Sequence, residues 1–256
     1  MIDKLAYIHP DAKIGNNVTI GPWTYIGADV EIGDDCWFSS HVVVKGPTVI
    51  GKGNKFYQFA SVGEDCQDKK FAGEATRLII GDNNVIRESV TIHRGTTQDE
   101  WETRIGSNNL FMAYVHIAHD CVVGSNVIMA NNASIAGHVH VGDWAILGGM
   151  TGVHQFVHIG AHAFTAGSSL ILNDVPPFVM ASGSPAIPRG LNIEGLKRRG
   201  FSKESQLSVR RAYKTLYRSN LTVAEAIEQL KEAAVDDEQV QMLIEFVASS
   251  QRGIIR

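Results

Sequence analysis

Ile8, Ile14, Ile20, Ile26 and Ile32 stand six residues apart, and this spacing constrains the fold more than any other feature of the chain. The same phase runs through Phe38, Val44, Ile50, Phe56 and Val62 and returns at Ile80, Ile86 and Ile92. After a shift it resumes at Ile105 and holds through Phe111, Ile117, Val123, Met129, Ile135, Val141, Leu147, Val153 and Ile159, fading near Ile171. Glycine follows the aliphatic residue at Gly15, Gly21, Gly27, Gly33, Gly51 and Gly63. Small or β-branched residues recur four places after it, among them Val18, Thr24, Val30, Cys36, Cys121, Val127, Ala133, Val139 and Ala145.

A period of six fits neither an α-helix nor a hairpin meander. Because six is even, each place in the repeat always faces the same side of a strand. The aliphatic position and the position four later share that parity, so both point inward. A short flat strand and a glycine-assisted corner, three times over, close a triangular coil of 18 residues. Stacked coils pair into three parallel sheets around a thin aliphatic core. The expected fold is therefore mainly β, a left-handed parallel β-helix of hexapeptide repeats. A β-sandwich is excluded, because sandwich strands do not hold one phase through so many repeats.

Two stretches break the phase. One, about 64–78, carries Glu64, Asp65, Asp68, Lys69, Lys70, Glu74 and Arg77; the other spans about 94–104. Loops ejected from a rigid scaffold are where function concentrates. From Asn192 onward the pattern becomes helical. Val209, Tyr213, Leu216 and Tyr217 form one stripe, and Val223, Ile227 and Leu230 a second, opened by a Thr222-x-x-Glu225 capping box. Val240, Leu243, Ile244 and Val247 form a third. This predicts a β-helix with two inserted loops over 1–191 and a helical domain over 192–256 that covers the open end of the solenoid.

A net charge of −4 argues against nucleic acid as a partner. Cys36, Cys66 and Cys121 form no even framework and no CxxC, so free thiols in a reducing compartment are expected. The start of the chain does not read as a signal peptide, and no apolar run approaches a membrane span. A cytoplasmic location follows as an expectation.

Of the ten histidines, His119, His138 and His154 follow Ile117, Ile135 and Val153 by two, three and one residues. Those aliphatic residues stack, so the three imidazoles gather near one edge of the prism. His116 stands close by in His116-Ile117-Ala118-His119-Asp120. A catalytic imidazole needs an orienting carboxylate or carbonyl, which points to His119 with Asp120. His9, His41, His140, His158 and His162 read as tolerated polar corner residues. A stacked histidine trio could hold Zn²⁺, as in the γ-class carbonic anhydrases of similar fold, but that leaves both charged loops without a role. No metal or cofactor is expected. There is no nucleophile elbow, P-loop or GxGxxG, and Lys197-Arg198-Arg199 with Arg189 makes a compact basic patch.

Several segments carry a resemblance. These are Gln58-Phe59-Ala60-Ser61-Val62-Gly63-Glu64, Ile86-Arg87-Glu88-Ser89-Val90-Thr91-Ile92-His93-Arg94-Gly95-Thr96, His116-Ile117-Ala118-His119-Asp120-Cys121 and Asn192-Ile193-Glu194-Gly195-Leu196-Lys197-Arg198-Arg199-Gly200-Phe201. Together they resemble the acyl-[acyl-carrier-protein]–UDP-N-acetylglucosamine O-acyltransferases, which open lipid A synthesis in Gram-negative bacteria. The resemblance runs from about residue 8 to the C-terminal Arg252-Gly253-Ile254-Ile255-Arg256. It implies His119 as general base beside Asp120, and Gly137 as the oxyanion-hole amide. It implies sugar and nucleotide contacts at Asp68, Lys70, His93, His116, His138, Gln155, Asn192, Glu194, Arg198 and Arg199. It implies Gly167 as the limit on acyl length, eight hexads beyond His119 and roughly 13 Å along the prism at ~4.8 Å per coil. It further implies UDP-N-acetylglucosamine and 3-hydroxyacyl-[acyl-carrier-protein] as substrates, and a homotrimer with sites between subunits. One departure stands out. Gln67-Asp68-Lys69-Lys70-Phe71 replaces the family's usual Gln-Asp-Leu-Lys-Tyr. The N-acyltransferase two steps later in that pathway carries an N-terminal domain ahead of its hexads, whereas here the hexads begin at Ile8.

Overall fold

The computed structural model describes residues 1–233 and 237–256. Strands mostly two or three residues long assemble into three sheets of nine, eight and ten strands. The first sheet runs from Tyr7–Ile8 to Leu170–Ile171, the second from Lys13–Ile14 to His158–Ile159, and the third from Thr19–Ile20 to Ala186–Leu191. Pairing in the coils is parallel and in register at 18 residues, as in Tyr7↔Tyr25 and Ile135↔Val153. The interruptions widen this step, giving Leu78↔Thr48 and Ile92↔Ile117.

The inward positions are those the periodicity marks. Ile26, Val44, Ile86, Ile117 and Ile135 are fully buried, as are Val127, Ala133, Val139 and Ala145 from the second inward position. Phe38 and Phe56 stack within the core at 4.6 Å. Each such aliphatic side chain contributes about 1.5–3 kcal/mol by leaving water. Truncating a central one, Ile135→Ala, costs about 2–5 kcal/mol including the cavity left behind. At one corner a buried amide ladder continues the core, with Asn84 Nδ2 donating to Asn54 Oδ1 at 3.0 Å and the Asn109 amide to Asn84 Oδ1 at 2.9 Å.

At three of the corners glycine is required by space. Gly15, Gly21 and Gly33 have no left-handed backbone; the left-handed residue comes two places later, at Asn17, Trp23 and Asp35. A Cβ on Gly15, Gly21 or Gly33 would stand 2.6–2.7 Å from the next coil. Glycine is therefore required there by the close stacking of coils, not by torsion.

The last strand before the helices runs antiparallel to its neighbour. Val179–Gly183 and Ala186–Leu191 form an antiparallel hairpin, which extends the third sheet beyond Phe164–Thr165. Four helices follow: α1 (Ile193–Arg198), α2 (Lys203–Arg218), α3 (Val223–Ala233) and α4 (Glu238–Ser249). Asn192, Ser202 and Asp237 cap α1, α2 and α4. Thr222 and Glu225 make the reciprocal capping bonds ahead of α3. Tyr213 of α2 and Ile255 of the C-terminal tail join the aliphatic core of the prism. The tail also pairs with the last coil, Ile255 N–H donating to Asp174 O at 2.9 Å. The end of the solenoid is thereby covered.

Candidate active site

The corner between the first and second sheets carries the chemistry. Both inserted loops leave the prism there, between Ser61–Glu64 and Arg77–Ile80 and between Thr91–His93 and Glu102–Ile105. In the next coils the same corner holds His119-Asp120, Gly137-His138 and Gln155-Phe156. Asp120, His138 and Phe156 take the left-handed corner conformation, with φ of 57°, 61° and 63°. The loops and the histidine column so enclose a groove of about 690 Å³.

His119 lines this groove, and its Nδ1 lies 2.8 Å from Asp120 Oδ2. The Asp120 carboxylate is 1% exposed, so it meets His119 with little competition from water. It also accepts from the Thr96 amide at 2.8 Å and the Thr96 hydroxyl at 2.6 Å. Burial pushes the Asp120 carboxyl up, but the bonds from His119 and Thr96 outweigh it and hold the group below the usual carboxylate range. An ionised Asp120 fixes the proton of His119 on Nδ1 and leaves Nε2 as an acceptor.

Gly137 sits against the face of this imidazole, and among the described residues its N–H finds no acceptor. His138 crosses His119 edge to face at 5.1 Å, and Asp99 Oδ2 accepts from its Nδ1 at 2.7 Å. His116 bonds Thr91 Oγ1 at 2.7 Å. Burial, with the neighbouring His116, lowers His93 to about 4, so it is neutral at physiological pH. Asp68 accepts from the Lys70 amide at 2.9 Å, and that bond foremost holds its carboxyl low, with His119 contributing. Gln155 and His154 complete the wall.

The groove thus gathers Asp68, Lys70, His93, His116, His119, Gly137, His138 and Gln155, with Asp120 behind them. Asn192, Glu194, Arg198 and Arg199 lie elsewhere, around a second groove of about 650 Å³ on the outer face of the third sheet. Two of these four have evident structural work. Asn192 caps α1 through Gly195 N–H and donates to His162 O at 3.0 Å. Arg199 donates to Trp144 O at 2.8 Å and meets His162 Nδ1 at 3.1 Å. Gly167 lines neither groove. Forty-eight residues are eight hexads, two coils and two sides of a third, so Gly167 falls on the corner between the third and first sheets. Lying further along the axis than His119, it is displaced sideways across the first sheet.

The other histidines divide. His41 and His162 are left-handed corner residues, as expected. His140 and His158 instead project from strands of the second sheet and stack at 4.5 Å. Sequence reasoning missed Thr96, Gln98, Asp99 and Thr103, all in the second inserted loop or at its end. Their signal was the broken hexad phase, which marks the loop without singling out residues. Ligand atoms of His119, Asp120 and His138 lie within 4.8 Å of one another, close enough to hold a cation. Both Asp120 oxygens, however, are already occupied by hydrogen bonds.

A hexapeptide-repeat prism whose corner presents an imidazole–carboxylate pair to an open groove defines a transferase of the hexapeptide class. The family model described as bacterial transferase hexapeptide matches residues 1–28 and 102–137. The model for domain 2 of UDP-N-acetylglucosamine O-acyltransferase matches residues 174–255. The curated acyl-[acyl-carrier-protein]–UDP-N-acetylglucosamine O-acyltransferase of Saccharophagus degradans is 56% identical over 255 residues, covering 100% of this chain and 99% of that protein. The solved LpxA from Acinetobacter baumannii is 51% identical, with a TM-score of 0.97 over 100% of this chain and 99% of that one. The UDP-N-acetylglucosamine acyltransferase of Arabidopsis is 36% identical, with a TM-score of 0.86 over the whole of both chains. The chain belongs to the acyl-[acyl-carrier-protein]–UDP-N-acetylglucosamine O-acyltransferase family and is an acyltransferase of lipid A biosynthesis. Among the described residues, no helix is long and apolar enough to cross a membrane.

Proposed function

We propose that this chain transfers a 3-hydroxyacyl group from acyl carrier protein to the 3-hydroxyl of UDP-N-acetylglucosamine, in the cytoplasm, with His119 as general base. The observation that carries the reading is the His119–Asp120 pair on the groove, with Nε2 as its free acceptor. A sugar hydroxyl is a weak nucleophile at neutral pH. Nε2 takes its proton as the oxygen attacks the thioester carbonyl, a role worth ~10²–10⁴ in rate. The tetrahedral oxyanion accepts from Gly137 N–H. Collapse breaks the C–S bond, and the imidazolium returns its proton to the departing thiolate. No covalent enzyme intermediate is needed.

Asp68, Lys70, His93, His116, His138 and Gln155 are read as sugar and nucleotide contacts around this centre. Asn192, Glu194, Arg198 and Arg199 are read as contacts to the nucleotide as well. They open on another face of the same prism, so they reach one substrate only when a second copy of the chain supplies them. That requirement supports a homotrimer with sites between subunits. Exposed Arg189, Lys197 and Arg198, with Lys203, Arg210, Arg211, Lys214 and Arg218 on α2, suit an acidic carrier protein.

Mass spectrometry of the product from UDP-N-acetylglucosamine and a graded series of 3-hydroxyacyl carrier proteins tests the reading. An O-acylated UDP-sugar is expected, unaffected by chelators. A product formed only after metal addition would favour a cation held by His119, Asp120 and His138.

A further inference from the structure

The second inserted loop grips the carboxylate beside the base through Thr96. Thr96 is 3% exposed, and it makes two bonds to one carboxylate: N–H to Asp120 Oδ1 at 2.8 Å and Oγ1–H to Asp120 Oδ2 at 2.6 Å. From the other end of the loop, Thr103 Oγ1 accepts from the Asp120 amide at 2.8 Å. Asp120 is thus held on its side chain by the ejected loop and on its backbone by the strand that follows it. Oδ2 is shared: the Thr96 hydroxyl and His119 Nδ1–H both donate to it.

We propose that Thr96 is a positioning residue for the acyl transfer, acting through Asp120 to aim the His119 imidazole and to moderate its basicity. This rests on the reading of His119 as the base. A carboxylate oxygen with two donors gives each a smaller share of its charge than it gives one alone. With the Thr96 hydroxyl removed, Asp120 bears more fully on Nδ1–H, and the protonated imidazole is stabilised. The carboxylate also loses one of its restraints, so the ring is aimed less well. Other groups facing the pair are His138, whose Nε2 lies 3.9 Å from Asp120 Oδ2, and Asp68, His93, His116 and Cys66 around the groove. Thr96 Oγ1 also accepts from the Gln98 amide at 3.4 Å, and Gln98 Nε2 lies 3.5 Å from Asp68 Oδ2, so a change at the hydroxyl reaches Asp120 directly and Asp68 through Gln98.

The test compares wild type, Thr96→Val and Thr96→Ser in kcat, in KM for UDP-N-acetylglucosamine, and in the pH profile of kcat/KM. Valine keeps the shape and the amide bond while deleting the hydroxyl; serine keeps the hydroxyl. Thr96→Val is expected to lower kcat by on the order of 10-fold, with KM within about twofold, and to move the acid limb to higher pH. Thr96→Ser is expected to match wild type in both respects. Should the valine variant fold poorly, the serine profile is compared with that of Thr96→Ser/Asp120→Asn, in which the acid limb is expected to move. A wild-type limb and kcat in Thr96→Val, equal losses in valine and serine, or an unmoved limb in the double variant would overturn the proposal. His119→Ala separates the two readings: inactive with Thr96→Val normal removes only the role of Thr96, whereas active removes the base itself.

Discussion

Gly137 lies so close to His119 that a Cβ at that position would stand 2.5 Å from its Cε1 and 2.6 Å from its Nε2. The coil that carries the proposed oxyanion amide also forms the floor on which the His119 ring rests. Any side chain there displaces the imidazole from its place against Asp120. Gly137→Ala is therefore expected to lower kcat by on the order of 10² while the prism still folds, because the half-buried ring borders the groove and can move into it. Steady-state kinetics alongside circular dichroism checks this; near-normal turnover would remove Gly137 from the reaction centre.

His119→Ala is expected to reduce kcat by on the order of 10² or more, with unfolding temperature close to wild type, since the ring faces the groove rather than the core. Undiminished turnover in a correctly folded variant would sink the assignment.

Gly167 has an ordinary backbone conformation, and a Cβ on it would meet only Gly149 O, at 3.3 Å. The left-handed residue of that corner is its neighbour Ser168, with φ of 58°. A side chain at 167 is therefore sterically affordable to the fold, and its effect reports on what passes the corner. Gly167→Met, assayed against donors of graded length, is expected to shift the optimum to shorter acyl chains with activity retained on them. A uniform loss across all lengths would deny Gly167 a role in chain-length selection.

Two grooves on different faces call for a mixed-chain experiment. Arg198 is the informative partner for His119, because Asn192 and Arg199 have structural bonds of their own. Co-expression of His119→Ala and Arg198→Ala chains is expected to restore part of the activity that each lacks alone. Absence of complementation in confirmed mixed oligomers would mean that each chain builds its site by itself.

Stability is expected to fall on acidification before the carboxylates titrate. Burial pushes His93 and His162 from the usual 6.5 to about 4, with His116 beside the first and Arg199 beside the second. The unfolded chain therefore binds more protons than the folded one between these values. The contribution is complete above about pH 6.5 and is lost as pH falls toward 4. Thermal unfolding at pH 7.5 and pH 5 tests this in wild type and His162→Gln. The variant is expected to be less stable at pH 7.5 but to lose less on going to pH 5. An equal loss in both would exclude His162 as a source of the acid sensitivity.

The legible part of this protein was the part that repeats. A hexad pattern restates one local rule, aliphatic in and corner out, so Ile8 through Ile159 determined three parallel sheets and their core without any long-range information. Helical stripes and the Thr222–Glu225 box are local in the same way, and they appeared where expected. His119 and Asp120 were legible as a pair because they are adjacent and fall in a stacked column. What the repeat could not specify was whatever departs from it. The hairpin at 179–191 has no hexad phase, and its antiparallel course depends on the two strands meeting. Thr96 and Asp99 lie in an ejected loop, and nothing local says that Thr96 will reach back to Asp120 or Asp99 to His138. Gly167 illustrates the limit most directly: counting hexads gives height along the prism, but the corner depends on the remainder after division by three. Local periodicity is set by which side chains avoid water, and one chain segment suffices to read it. The closure of loops onto a corner is set by contacts between segments tens of residues apart, and only the folded structure brings those together.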